Sequence, residues 1–209
     1  MRLNGHEIAI ERGGRRILSG VSFAARAGQA LLLVGPNGSG KSSLLRAIAG
    51  FLPLASGTLA LEGGAAEAGI GEQAHYLGHA DALKSALTAG ENLAFWADAL
   101  GGDSARAAWI AALDRLGLAH VADFPARALS AGQKRRVALA RLLVAPRPIW
   151  LLDEPTTALD AAAQRQFALV MRAHLAGGGL ILAATHAPLD LDDAARLTLG
   201  EAAATGAAA

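Results

Sequence analysis

Short uninterrupted apolar runs recur along the chain and alternate with helical patterns. The clearest of these runs cover residues 31–34, 149–152 and 180–184. Runs of four or five apolar residues are typical of strands that are buried on both faces of a parallel sheet. Strands that alternate with helices indicate an α/β domain. We therefore expect one α/β domain over residues 1–200, with a mixed core sheet.

Two regions depart from this pattern. Residues 3–23 contain shorter apolar stretches broken by glycines, which predicts antiparallel strands in a side sheet. Between about residues 79 and 129 the strand pattern stops. Thr88 and Glu91 form a capping box before a helical candidate at 92–100, and a second candidate covers 104–116. This segment predicts a helical subdomain inserted in the core.

The aromatic residues of that segment are expected to be core residues. They are Phe95, Trp96 and Trp109. At the other end of the chain, residues 201–209 are rich in alanine and glycine and have no periodic apolar pattern, which predicts a disordered tail.

Composition and charge argue against several classes of protein. The chain has 209 residues and is 53% hydrophobic, yet no apolar run approaches the roughly 18 residues that span a bilayer. We expect neither a transmembrane segment nor a targeting peptide. The absence of cysteine excludes disulfides and thiolate metal sites. A net charge of +1 gives no electrostatic reason for nucleic-acid binding.

A glycine-rich loop directly follows the first buried strand. The loop and the start of the next helix read Gly35, Pro36, Asn37, Gly38, Ser39, Gly40, Lys41, Ser42 and Ser43. A strand that delivers such a turn into a helix directs backbone N–H groups at one point, which favours polyphosphate binding. Lys41 would reach the β- and γ-phosphates, and the Ser42 hydroxyl would bind Mg²⁺.

Two carboxylates end the second buried strand. Asp153 is placed to hold the magnesium ion, and Glu154 to polarise a water for attack on the γ-phosphate. Upstream lie Ser130, Ala131, Gly132 and Gln133 at the start of a basic helix. Ser130 and Gln133 also fit a capping box, so the alternative is that this segment is only a well-formed helix start.

This ordered set resembles the ATP-binding cassette family over nearly the whole chain. The resemblance implies that residues 129–133 are the signature sequence, with Ala131 in place of a glycine. It also implies that Asp160 is the aspartate loop and that His186 is the switch histidine. One ATP with its Mg²⁺ would be shared between two copies of the chain. Lys41, Glu154 and His186 of one copy would then carry catalysis, facing residues 130–133 of the other.

Two positions depart from the family pattern. His79 occupies the place of the glutamine loop, and Arg12 stands where an aromatic residue ordinarily stacks on adenine. A planar guanidinium can also stack on a base, although Arg12 equally fits a solvated turn. Together with Ala131, these departures make the chain similar to the ATP-binding subunits of the haem exporter of bacterial cytochrome c maturation. That resemblance implies a homodimer in the ATP-bound state, attached through permease subunits to the cytoplasmic face of the inner membrane. In the cassette family the face near Lys84 and Trp96 usually meets the membrane partner, which is an alternative to a core position for Trp96.

Other functions remain open from the sequence alone. A multidrug or polysaccharide exporter would share the same ATP chemistry and differ in its partner. A soluble cassette acting on ribosomes or DNA usually carries a second cassette, a coiled-coil insertion or basic arms. A non-catalytic regulator would lack the second acid or the switch histidine, whereas Glu154 and His186 are both present.

Overall fold

A five-stranded parallel sheet forms the centre of the molecule. The computed structural model describes residues 1–191 and 193–200, so the tail predicted for 201–209 lies outside the described residues. The sheet has the order β5-β6-β7-β3-β8. The strand bounds are Ala30–Val34 (β3), Ala74–Leu77 (β5), Ile149–Asp153 (β6), Leu180–Ala184 (β7) and Ala195–Thr198 (β8). The three predicted apolar runs are its three central strands, and every residue of β6 and β7 is buried.

A three-stranded antiparallel sheet has the order β2-β1-β4. Its strands are Arg2–Arg12 (β1), Arg15–Arg26 (β2) and Ser56–Glu62 (β4). Gly13 and Gly14 join β1 to β2 with φ of 58° and 72°, and a two-residue hairpin turn with two positive φ angles favours glycine at both places. The predicted side sheet is confirmed, with strands longer than expected. Parallel and antiparallel pairing are both present, divided between the two sheets.

Five α-helices connect these strands in the described part of the chain. They are Lys41–Ile48 (α1), Ala89–Leu100 (α2), Arg106–Asp114 (α3), Ala131–Val144 (α4) and Ala161–Ala176 (α5). Short 3₁₀ turns occupy residues 71–73, 119–121 and 126–128. The helix predicted at 104–116 is shorter at both ends: Ala105 provides no side-chain cap, and the Leu116 and Gly117 amides bond to carbonyls three residues back, as in a 3₁₀ turn. No helix among the described residues is long and apolar enough to cross a membrane.

Alternate side chains of the central strands face two different cores. In β3, Leu31 and Leu33 belong to the core that contains α1 and the antiparallel sheet. Leu32 belongs to the core that contains α2 to α5. Side chains alternate across a strand, so one parallel sheet can separate two apolar layers. The carboxyl ends of β3, β6 and β7 are thereby fixed at one edge of the sheet.

The aromatic residues of the helical segment differ in burial. Trp109 is buried in the core formed by α2 to α5, as expected. Phe95 is exposed, and the Lys84 ammonium lies 3.8 Å from its ring centroid, so its assignment to the core was wrong. Trp96 is half-buried, with the Arg141 guanidinium 4.5 Å from its ring centroid. Apolar type alone does not specify which face of α2 each aromatic occupies.

Candidate functional site

Three loops meet at the carboxyl edge of the parallel sheet. They follow β3, β6 and β7, which are adjacent in the sheet. Together they enclose a cleft of about 340 Å³. It is lined by residues 37–43, by Asp153, Glu154 and His186, and by Arg12 and Ile17. The structure therefore brings together most of the nucleotide-site residues predicted from the sequence.

The loop after β3 depends on glycines. Gly35, Gly38 and Gly40 have φ angles of 139°, 80° and 96°, a region that L-residues with a Cβ rarely adopt. A Cβ at Gly35 would also collide with the Leu199 carbonyl. The turn leads directly into α1, whose first residue is Lys41. The free N–H groups and the positive dipole end of this helix therefore face the cleft and favour an anion there.

Lys41 is folded back across its own loop. Its ammonium donates to the carbonyls of Gly35 at 2.8 Å and Pro36 at 3.0 Å, and the residue is only 7% exposed. Among the described residues no carboxylate pairs with it. The positive charge is therefore balanced only by neutral dipoles, and an anion in the cleft would be a better partner.

Ser42 and Asp153 lie next to each other although 111 positions separate them. The Ser42 hydroxyl donates to Asp153 Oδ1 at 2.9 Å, and Asp153 is buried. Hydroxyl and carboxylate oxygens suit Mg²⁺, which usually binds one or two protein oxygens together with phosphates and water. Within 1–191 and 193–200 no cluster of three His, Cys, Asp or Glu could hold a metal. These two oxygens fit a magnesium ion that arrives with a nucleotide.

Glu154 and His186 face each other at the reactive end of the cleft. Glu154 Oε1 lies 3.7 Å from His186 Nε2. The Glu154 amide donates to the Ala184 carbonyl of β7 at 2.8 Å. The backbone of Glu154 has a φ of 47°, which is uncommon for a residue with a side chain. The peptide is thus held so that a part-exposed carboxylate points toward the cleft.

The cleft combines a strand–loop–helix that favours phosphate with two acids and a histidine. Comparisons with known proteins indicate which family has this arrangement. The family model described as ABC transporter matches residues 18–157. The chain belongs to the ABC transporter family. It is 56% identical to the Cytochrome c biogenesis ATP-binding export protein CcmA of Nitrobacter winogradskyi, over 97% of this chain and 100% of that protein. The cassette resemblance seen in the sequence is therefore confirmed, as is its similarity to export proteins of cytochrome c biogenesis.

Solved structures confirm the cassette fold. A putative ABC transporter ATP-binding protein from Pyrococcus furiosus matches with a TM-score of 0.83 at 21% identity, over 95% of this chain and 98% of that chain. A bacterial Atm1-family ABC exporter with ATP bound matches with a TM-score of 0.81 at 28% identity, over 95% of this chain and 37% of that one. This ABC ATPase binds ATP, and the cleft after β3 is where the phosphate-favouring groups converge.

Other predicted site residues of this ABC ATPase lie outside the cleft. Ser130 is the N-cap of α4: its hydroxyl accepts from the Gln133 amide at 3.2 Å, and the Gln133 side chain accepts from the Ser130 amide at 2.9 Å. Ala131 is exposed and Gly132 half-buried in the same first turn. Asp160 caps α5 by accepting from the Ala163 amide at 2.8 Å. The capping-box interpretation is confirmed.

His79 lines a different and larger cavity. This second cleft has a volume of about 870 Å³, and its wall also contains Arg46, Trp96, Arg141 and Arg147. Because Gly78 and His79 follow β5, at the edge of the sheet, they lie apart from the loops after β3 and β7. The structure thus places His79 beside the second cleft and does not bring it into the nucleotide cleft.

Arg12 reaches the nucleotide cleft from the end of β1. It is exposed and lies at the hairpin turn that precedes β2. Ile17 lines the cleft beside it and was missed in the sequence, where one apolar residue of a strand carries no distinguishing signal.

Proposed function

We propose that this chain hydrolyses magnesium-bound ATP as the ATPase subunit of the transporter that exports haem for bacterial cytochrome c maturation. The chemistry depends on the convergence of Lys41, the Ser42–Asp153 pair and the Glu154–His186 pair in one cleft. The assignment to haem export is supported by the 56% identity to a cytochrome c biogenesis export protein over essentially the full chain.

Each residue has one role in this proposal. Lys41 leaves the carbonyls of Gly35 and Pro36 to bind the β- and γ-phosphates. Ser42 and Asp153 hold the magnesium ion, whose charge offsets that of the phosphates. Glu154 orients the attacking water and accepts its proton, and His186 donates to the γ-phosphate. The glycine loop supplies backbone N–H groups whose positions do not change during the reaction.

The site is completed by a second copy of the chain. The first turn of α4 contains Ser130, Ala131 and Gly132 and does not line the nucleotide cleft of its own chain. These residues can therefore contact the nucleotide cleft of a neighbouring copy. A hydroxyl and helix N–H groups facing the γ-phosphate would favour closure of two chains on two ATP molecules. Hydrolysis removes the γ-phosphate contacts, and the two chains then separate.

The membrane partner is proposed to dock at the second cleft. That cleft is large, is lined by Trp96, Arg141 and His79, and is adjoined by Phe51, which is 66% exposed. Permease subunits seated there would hold the chain at the cytoplasmic face of the inner membrane. No nucleic-acid partner is proposed, because the net charge is only +1.

Deletion of the gene tests the haem assignment. The expected result is loss of covalently attached c-type cytochromes, with haem retained on its periplasmic chaperone, as measured by haem staining of separated proteins. The wild-type gene should restore them, and a Glu154→Gln gene expressed at the same level should not. Normal c-type cytochromes in the deletion strain would reject haem export in favour of another exporter, while leaving the ATPase chemistry in place.

His79 provides a test of coupling to the membrane partner. A neutral imidazole and an amide can each donate or accept one hydrogen bond. We therefore expect His79→Gln to retain cytochrome maturation and ATP hydrolysis, whereas His79→Ala should retain hydrolysis and lose maturation. Full maturation with His79→Ala would contradict a coupling role.

A further inference from the structure

One buried arginine connects the two clefts. Arg135 lies in α4, and its side chain is 4% exposed. Its guanidinium donates to the Pro155 carbonyl at 3.1 Å, the Asp153 carbonyl at 3.1 Å and the Glu154 carbonyl at 2.7 Å. It also donates to the Gly78 carbonyl at 2.9 Å and to Asp81 Oδ1 at 3.2 Å.

The pattern of acceptors explains why the residue is arginine. A guanidinium has five N–H donors in a rigid plane, whereas a lysine ammonium is a compact charge with three. Here the donors reach three consecutive carbonyls, at positions 153–155, and the peptide units of the first two lie on either side of Glu154. Charge-assisted hydrogen bonds of this kind are stronger than neutral ones. They offset the unfavourable φ of 47° that Glu154 adopts.

The same guanidinium also reaches the loop after β5. Gly78 and Asp81 lie on either side of His79, which lines the second cleft. Asp81 is the only carboxylate that pairs with Arg135 among the described residues. A shift of residues 78–81 would therefore move two of the five acceptors of Arg135.

We propose that Arg135 is a positioning residue for ATP hydrolysis. It fixes the peptide units around Glu154 so that the carboxylate is aimed at the attacking water, and Asp81 fixes Arg135 in turn. Arg135 does not line the nucleotide cleft, so it acts through Glu154 and not on the nucleotide itself. The proposal depends on ATP hydrolysis and is independent of the exported compound.

The test compares Arg135→Lys with Arg136→Lys in the full-length chain. Lysine at 135 keeps the positive charge but cannot span all five acceptors. A displacement of about 1 Å at a reacting group costs about 10²-fold, so we expect kcat for ATP to fall by about 10- to 100-fold. KM and the ATP dissociation constant should change less than about 3-fold, because the loop after β3 is untouched. Arg136, on the same helix, donates to the Leu116 carbonyl instead, and Arg136→Lys should keep kcat.

A double variant separates positioning from a structural role. If Arg135 acts through Glu154, adding Arg135→Lys to Glu154→Gln should cause almost no further loss of the residual turnover. The same fold-loss in both backgrounds would overturn the proposal, as would a weakening of ATP affinity as large as the loss in kcat. An equal loss in Arg136→Lys would also overturn it.

If Arg135→Lys does not fold, Asp81→Asn provides a second test of the proposal. It leaves all four backbone carbonyl bonds of Arg135 intact and removes only the charge of its partner. The expected result is a fall in kcat of about 3- to 10-fold, with KM for ATP unchanged, because a charge-assisted hydrogen bond becomes a weaker neutral one. Wild-type kcat in Asp81→Asn would then reject the proposal. Because the readout is ATP turnover, it is independent of the cytochrome assay.

Discussion

The two adjacent acids at the end of β6 have different surroundings. Asp153 is 6% exposed and accepts from Ser42, whereas the Glu154 side chain is 29% exposed and faces His186. A buried, hydrogen-bonded carboxylate suits a metal ligand, and a more accessible one suits a group that must receive a proton from water. This difference in environment supports the two different roles proposed for the two acids.

Glu154→Gln should separate binding from hydrolysis. The amide keeps the size of the side chain but cannot accept a proton, so hydrolysis should fall by about 10²-fold or more while ATP binding is kept. Lys41→Ala should instead weaken ATP binding. Phosphate release and equilibrium binding of a labelled nucleotide measure the two quantities. Near-normal turnover in Glu154→Gln would show that another group is the base.

Arg12 allows a test of how the base is held. If its guanidinium stacks on adenine, Arg12→Tyr should preserve ATP affinity and Arg12→Ala should weaken it by about 0.5 to 2 kcal/mol. Titration calorimetry with the three proteins measures the difference. Equal affinities would mean that Arg12 is a solvated turn residue.

His75 should make folding stability depend on pH. Burial in β5 lowers the pKa of His75 to about 4 from an ordinary value of 6.5, although its bond to the Ala145 carbonyl acts in the opposite direction. Since the folded pKa is the lower one, the unfolded chain takes up the proton first as pH falls. The stability contributed by neutral His75 is therefore complete above about pH 6.5 and is lost between pH 6.5 and 4, by roughly 3 kcal/mol.

Urea unfolding at several pH values checks this prediction. His75→Gln can still donate to the Ala145 carbonyl but does not titrate, so the variant should lose less stability than the wild type on acidification. The pKa of His174 is also lowered by burial, so part of the pH dependence should persist. Identical pH profiles for variant and wild type would exclude His75 as the source.

At the scale of elements, the helices between β5 and β6 share a core with the sheet. Leu93 and Trp109 pack in the same cluster as Leu152 of β6 and Ile181 of β7. Two capping boxes start the principal helices of this region, at Thr88 for α2 and at Ser130 for α4. The segment predicted as an inserted subdomain is accordingly proposed to unfold together with the sheet and not separately.

Gly90 sets the distance between α2 and α3. A Cβ there would lie 2.5 Å from the Trp109 ring. Inside a helix, a change from glycine to alanine ordinarily stabilises by up to about 1 kcal/mol. Here the clash should reverse the sign, and Gly90→Ala should destabilise by about 1 to 3 kcal/mol. Denaturant unfolding measures the change, and a stability equal to or above the wild type would show that α3 moves away at no cost.

At the scale of the whole molecule, the proposed dimer would divide each nucleotide site between two copies of the chain. The cleft of one chain carries the phosphate loop and the acids, while Ser130 and the first turn of α4 lie elsewhere on the same chain. If the cleft of each copy contacted the first turn of α4 of the other, two nucleotide sites would be completed. ATP binding would then favour formation of the dimer.

Matched cap substitutions test that arrangement. In Glu154→Gln protein, ATP should produce a dimer that sedimentation velocity detects. Ser130→Ala and Thr88→Ala each remove an N-cap hydroxyl, so both should lose about 1 kcal/mol of stability. Only Ser130→Ala should also weaken the ATP-dependent dimer and hydrolysis. Equal effects of the two substitutions on the dimer and on hydrolysis would mean that Ser130 acts only as an N-cap.

The sequence alone was enough for features that depend on neighbouring residues. The buried strands 31–34, 149–152 and 180–184, the capping boxes and the phosphate loop each follow from a few consecutive side chains, because strand burial, capping and tight turns are local. The roles of Ser42 and Asp153 as magnesium ligands were predicted from their residue types and their places after buried strands, whereas their direct hydrogen bond across 111 positions was not predicted.

The tertiary structure decided features that depend on distant contacts. The edge strands β5 and β8 have four residues each, and the third antiparallel strand lies outside the predicted region, so their pairing depends on the sheet that receives them. The exposure of Phe95, the position of His79 beside the second cleft and the five acceptors of Arg135 likewise depend on packing between elements. No pattern within α4 indicates that Arg135 meets carbonyls from two separate loops, because those carbonyls come together only when the sheet forms.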